Sequence, residues 1–227
     1  MKTLIVAAVL SLASLLLMAA PPAWSDQAGA RAQLEKEGIP FTPEAFLEKV
    51  AEGDVARVGL FLDAGIDPSV RNDSGRTALW VATERRQLAV LQSLLAFGVK
   101  PDAKNAPMGE GGKSLVFEAV DSGDAAFVTA LAEAGADVKT ANDYEVPPLS
   151  EAARVGNLAM CEALLKAGAD PNAAPAGFPL IFGPVNENHP EVVRLLLKSG
   201  AKLGEHKQTL VEAATHPEIR AMLEAAE

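Results

Sequence analysis

The sequence predicts an all-α solenoid, in which pairs of short helices stack side by side and are joined by β-hairpin-like loops. Three observations predict it. One punctuated segment recurs five times, as FLDAGIDPSV (61–70), LLAFGVKPDA (94–103), LAEAGADVKT (131–140), LLKAGADPNA (164–173) and LLKSGAKLGE (196–205). Its glycines, Gly65, Gly98, Gly135, Gly168 and Gly200, are 33, 37, 33 and 32 residues apart, the period of a repeat array. Seven residues before them stand Val58, Leu91, Val128, Cys161 and Val193, and four before stand Phe61, Leu94, Leu131, Leu164 and Leu196. Those offsets put both positions on one helix face, where a neighbouring unit can bury them. Twelve residues before the glycines come Gly53, Arg86, Gly123, Gly156 and Asn188, mostly turn formers that divide this helix from an earlier one.

Taken in order, residues 1–25 read as a secretory signal peptide: Lys2, an apolar run from Thr3 to Ala20, then prolines and small residues. Cleavage after Ser25 fits best, with Ala28 to Ala30 as a second candidate; an uncleaved anchor is the alternative, since Thr3 to Ala20 is at the short edge of spanning length. Residues 26–40 are polar and charged, a linker or a short helix. Five repeats follow at about 41–72, 73–105, 106–142, 143–173 and 174–203. The first opens with Thr42, Pro43 and Glu44, all favourable at a helix N-terminus. In each repeat the glycine suits a left-handed residue that ends the second helix, and Pro68, Pro101 and Pro171 prevent continuation. Stretches such as SVRNDSGRTAL (69–79) and KTANDYEVPPL (139–149) carry turn signals and read as hairpin-like loops. Residues 204–227 form a capping helix pair, which a solenoid needs because its last repeat has one neighbour only.

DSGRTALWVA (73–82), VPPLSEAARVGN (146–157) and LLKAGADPNA (164–173) resemble the ankyrin-repeat family, with its Thr-Pro-Leu-His pattern followed by Ala-Ala and Gly. The resemblance covers about Phe41 to the C-terminus. The family histidine is replaced by Trp80, Phe117, Ser150 and Ile181; the third repeat gains four residues around APMGEGG (106–112), and Pro184 falls in or after the first helix of the fifth.

Reactive residues are sparse. The histidines are His189, His206 and His216; two share the sequence His-Pro-Glu, a helix start. Cys161 takes a position filled elsewhere by Val or Leu, so it reads as a buried hydrophobe. Asp67, Asp137 and Asp170 lack the dense alternation of a calcium loop and read as turn residues. GEGGK (109–113) has no Walker spacing and reads as a lengthened hairpin tip. No catalytic residue, metal ligand or cofactor is expected. The net charge is −10, and loss of residues 1–25 removes Lys2 and no acid, giving −11. An acidic surface of this kind argues against nucleic acid and anionic membranes.

The resemblance implies a non-catalytic module that binds a protein partner through its concave face and hairpin tips. Carried over position by position, the implied contact residues are Asp73, Ser74, Arg76, Glu84 and Arg85; Lys113, Asp121 and Ser122; and Asp143, Tyr144, Val146 and Arg154. Tyr144 is the expected hot spot, unless it only covers a neighbouring hairpin. Met108, on the insertion, is a further candidate. A monomer in an exported compartment, most simply the periplasm, completes the expectation. The alternatives are a hydrolase or metal-dependent activity in the insertion and fifth repeat, or a protective role for an exported enzyme or toxin.

Overall fold

A computed structural model of the chain describes residues 27–101 and 114–226. Each repeat contributes a first and a second helix: α2 (Pro43–Glu52) and α3 (Val55–Asp63), α4 (Ala78–Glu84) and α5 (Leu88–Ala96), α6 (Leu115–Ser122) and α7 (Ala125–Glu133), α8 (Pro148–Arg154) and α9 (Leu158–Lys166), α10 (Phe182–Asn186) and α11 (Pro190–Lys198). Beyond them come α1 (Gln27–Lys36) at the front and α12 (Lys207–Ala213) and α13 (Pro217–Ala225) at the back. The first helices α2, α4, α6, α8, α10 and α12 pack in succession as one row, and α1, α3, α5, α7, α9, α11 and α13 as a second. Helices are the only regular elements of length among the described residues; the sole β pairing described is an isolated bridge between Arg71 and Thr77.

The helices start and stop where their residues require. Thr42, Asp54, Thr77, Ser114, Asp124 and Asn157 each accept a hydrogen bond from a backbone N–H of the first turn. Gly168, φ +94°, ends the second helix of its repeat, and Ala169 N–H then donates to the Leu164 carbonyl at 2.9 Å. This bond crosses the left-handed residue and satisfies a carbonyl the helix leaves free. Its counterparts run from Ile66 to Phe61, Val99 to Leu94, Ala136 to Leu131 and Ala201 to Leu196. The position twelve residues earlier is also left-handed throughout, including Arg86 at φ +57° and Asn188 at +61° where no glycine stands.

Residues 26–40, open between linker and helix in the sequence, contain α1, which lies against α3 in the row of second helices. Leu34 is fully buried, Arg31 Nε donates to the Ala64 carbonyl at 3.1 Å, and Ile39 N–H donates to Leu34 O across Gly38, φ +72°. A sixth copy of the Leu-x3-Gly signal was therefore present at Leu34 and Gly38. α1 covers the apolar face of α3 that would otherwise meet water, while α12 and α13 do the same at the other end.

One expectation needs correction. Ile181 is 1% exposed and takes the core position of Leu79 and Leu149, so Phe182 stands where the family has histidine. Counting back seven residues from His189, as from Gln87 to Trp80 or from Asn157 to Ser150, reaches Phe182. Pro184 lies inside α10, in its first turn, where the missing N–H has no intrahelical acceptor to lose.

The core is one continuous cluster running from Ala30 to Leu223. Repeats are tied further by side chains at the start of three second helices, α5, α9 and α11, that reach back to the preceding repeat. Gln87 donates to Ala51 O at 3.2 Å, Asn157 to Gly123 O at 2.9 Å, and His189 Nε2 lies 3.1 Å from Arg154 O. Cys161 is fully buried and its thiol is pushed up to about 12, chiefly by burial. It fills space in the core as Val58 and Leu91 do, and it holds its proton at neutral pH.

The acids after the glycines bind their own backbone. Asp67 accepts from Ser69 N–H at 2.8 Å, Asp137 from Lys139 N–H at 2.8 Å, and Asp170 from Asn172 N–H at 2.9 Å. The Ser69 and Thr140 hydroxyls, followed by backbone N–H groups, hold Asp67 and Asp137 below the usual carboxylate range. A carboxylate lowered on folding adds stability above its unfolded pKa and loses it as pH falls through the folded value. The melting temperature should therefore be level from pH 7 to 5 and decline below about pH 4, an unfolded aspartate's range. Asp67→Asn with Asp137→Asn should narrow the difference between neutral and acid melts; an identical acid profile in the double variant would refute the assignment.

Candidate interaction surface

Two hairpin tips are built alike. Asn72 Oδ1 accepts from Ser74 N–H at 3.0 Å and Arg76 N–H at 2.9 Å; Asn142 Oδ1 accepts from Tyr144 N–H and Val146 N–H, both at 3.0 Å. Each asparagine also pairs by backbone with the residue four on, Asn72 N–H to Arg76 O and Asn142 N–H to Val146 O. The tip residue is left-handed in both, Gly75 at φ +73° and Glu145 at +59°. The asparagine thus fixes the backbone of the tip, and the side chains between are left to point outward.

The structure places the expected contact residues as follows. Asp73, Ser74, Asp143 and Tyr144 are exposed on the tips, with Tyr144 at 73%. Arg76 pairs with Glu84, tying the second hairpin to α4, and Arg85 is exposed at the end of that helix. Asp121 is exposed near the end of α6, while the Ser122 hydroxyl donates to Ala119 O at 2.7 Å. Val146 is half-buried, and Arg154 donates from Nε to Glu151 at 3.1 Å. Lys113 and the insertion bearing Met108 lie outside the described residues. Trp80 is buried, at 4% exposure.

These positions share a register with the row of first helices. Counting back eleven residues from Gln87, Asn157 and His189 reaches Arg76, Val146 and Phe178; counting back two reaches Arg85, Val155 and Glu187. Phe178 is 56% exposed and Val155 51%, so two apolar members of the surface had escaped the sequence reading. The signal that could have found them is that same offset, applied to the fourth repeat for Val155 and, with the corrected register, to the fifth for Phe178. Phe178 meets Phe182 edge to face at 5.6 Å between centroids, and both rings approach His206, at 6.3 and 6.4 Å. Beside them lies a groove of about 320 Å³ between the loop of the fifth repeat and the cap, with Pro179, Ile181, Leu203 and His206 in its wall.

Among the described residues no group of three His, Cys, Asp or Glu side chains could hold a metal ion, and no helix is long and apolar enough to cross a membrane. What the arrangement offers is a preformed surface of tips and helix ends, polar around Arg76 and more apolar around Tyr144, Val155 and Phe178.

A family model described as ankyrin repeats in three copies matches residues 47–142 and 116–207. A putative ankyrin repeat-containing protein of Treponema pallidum (strain Nichols) is 27% identical over 173 residues, which is 76% of this chain. The matched stretch is 46% of that protein, so the chain spans about half the length of its curated relative. The recurring left-handed helix ends, the two rows of packed helices and the family match over most of the chain establish that it belongs to the ankyrin-repeat family.

Proposed function

We propose that this chain is an exported, monomeric, non-catalytic module that binds a protein partner with its hairpin tips and the exposed ends of its first helices. The observation that carries the reading is the tip geometry. Asn72 and Asn142 fix the backbone of the tips from below, so Tyr144 is presented on a scaffold ordered in advance and little ordering entropy is lost on association. Export is supported by the leader-like layout of residues 1–25, with the periplasm as the simplest destination.

Tyr144→Ser combined with Arg76→Ala should weaken capture of cross-linked partners from the exported fraction at least tenfold, on the order of 1.4 kcal/mol, as expected for loss of a hot-spot side chain. The melting temperature should fall little, since Tyr144 is exposed and the Arg76–Glu84 pair is on the surface. Purified material from the cell should begin at Asp26. Undiminished capture by the double variant would rule out this face, and a chain that stays in the cytoplasm with Met1 intact would rule out export.

A further inference from the structure

The exposed apolar side chains are not scattered. Among the described residues the large hydrophobics left in water are Val55, Tyr144, Val155 and Phe178. Three of the four fall at tip or helix-end positions of the fourth and fifth repeats, whereas the second repeat puts Ser74, Arg76 and Arg85 at the matching places. Phe178 is held out by Phe182 and His206 rather than folded inward, although the 320 Å³ groove with Pro179 and Ile181 in its wall lies beside it. A monomer gains nothing in stability from apolar area kept in water, so a concentration of it at tip and helix-end positions of two adjacent repeats marks a contact surface.

The surrounding charge narrows what can cover it. Asp143 and Glu145 flank Tyr144, and Glu187 occupies in the fifth repeat the position of Val155 in the fourth. The basic group nearest in sequence to Val155 is Arg154, which is taken up by Glu151, and in the groove beside Phe178 Lys202 is accompanied by Glu205. A second copy of this chain would bring its own net charge of −10 against an acidic rim, so self-association is disfavoured.

Resting on the binding-module reading, we propose that the fourth and fifth repeats form the docking surface for a partner segment that is both apolar and basic. Its leucine or aromatic side chains would lie against Tyr144, Val155 and Phe178, and its lysines or arginines against Asp143, Glu145 and Glu187. The apolar contacts supply affinity, and the acidic rim supplies selection and encounter rate, which makes the interaction salt-sensitive.

The test is a displayed library of random 16-residue peptides selected against the full chain, followed by fluorescence anisotropy on enriched peptides made synthetically. Enriched sequences should combine Leu, Phe or Trp with Lys or Arg and should bind less tightly as sodium chloride is raised. Tyr144→Ser alone should weaken them severalfold, and Tyr144→Ser with Phe178→Ser at least tenfold. The single variant guards against misfolding, because Tyr144 is 73% exposed and lies outside the core. Acidic or wholly polar winners would overturn the inference. So would peptides whose binding depends on Arg76 and Arg85 instead, an outcome that leaves the binding-module reading standing. Failure to enrich any peptide would overturn both.

Discussion

Phe61→Ala should cost about 3–5 kcal/mol, the usual range for emptying a buried aromatic site. Phe61 is fully buried in α3, stacked on Phe41 at 5.9 Å between centroids and tilted against Phe46 at 5.7 Å. The Arg31 guanidinium lies 4.3 Å from the Phe41 ring on its other contact, so the loss would reach α1 as well. In a solenoid each repeat touches only its neighbours, and damage near one end need not melt the other. The expected result is therefore local. Hydrogen exchange should show amides of α1 to α3 losing protection while those of α9 and α11 keep theirs, and thermal melts should broaden or split. Uniform loss along the chain would show that the array unfolds as one unit, and unchanged exchange would show that the aromatic cluster does not hold the front together.

Gly156→Val should cost about 2–4 kcal/mol, combining strain of about 1–3 for a left-handed non-glycine residue with a lost hydrogen bond of about 0.5–1.5. Gly156 has φ +74°, and an added Cβ would lie 2.5 Å from His189 Cε1 and Nδ1 and 2.7 Å from Cγ. The rigid ring would have to leave, taking with it the contact between His189 Nε2 and Arg154 O that joins the fourth and fifth repeats. Two controls separate the causes. Gly168→Val, at φ +94° with only Lys139 Cε at 4.0 Å, should show the strain without the collision. Gly53→Val would meet Gln87, but at the end of a flexible amide, and should fall between. Equal urea midpoints for all three would mean that backbone strain alone sets the cost.

Much of this fold was readable because its signals are local. The glycine that ends each second helix, the cap Thr42, and the paired apolar positions such as Val58 and Phe61 each act within one repeat or its immediate neighbour, so they are legible locally. α1 was less readable because its segment is polar and charged and carries only the glycine half of the pattern, in QLEKEGIP (33–40). Leu34 and Gly38 carried it nonetheless. The fifth repeat misled by one residue because proline and glycine around Gly183 and Pro184 blur its helix start; burial of Ile181 at the place of Leu79 and Leu149, with α11 starting after His189, decided the register.

The candidate surface divides the same way. Spacing along one chain is enough to read the repeat, its punctuation, and the tip and helix-end positions at which contact residues would stand. What each residue there is left to do emerges only from the folded array. Arg76 and Arg154 proved to be held by Glu84 and Glu151, Trp80 to be buried, and Tyr144, Val155 and Phe178 to be left in water. Exposure is a property of what packs against a side chain, and in a solenoid that neighbour is contributed by residues some thirty positions away, on the next repeat.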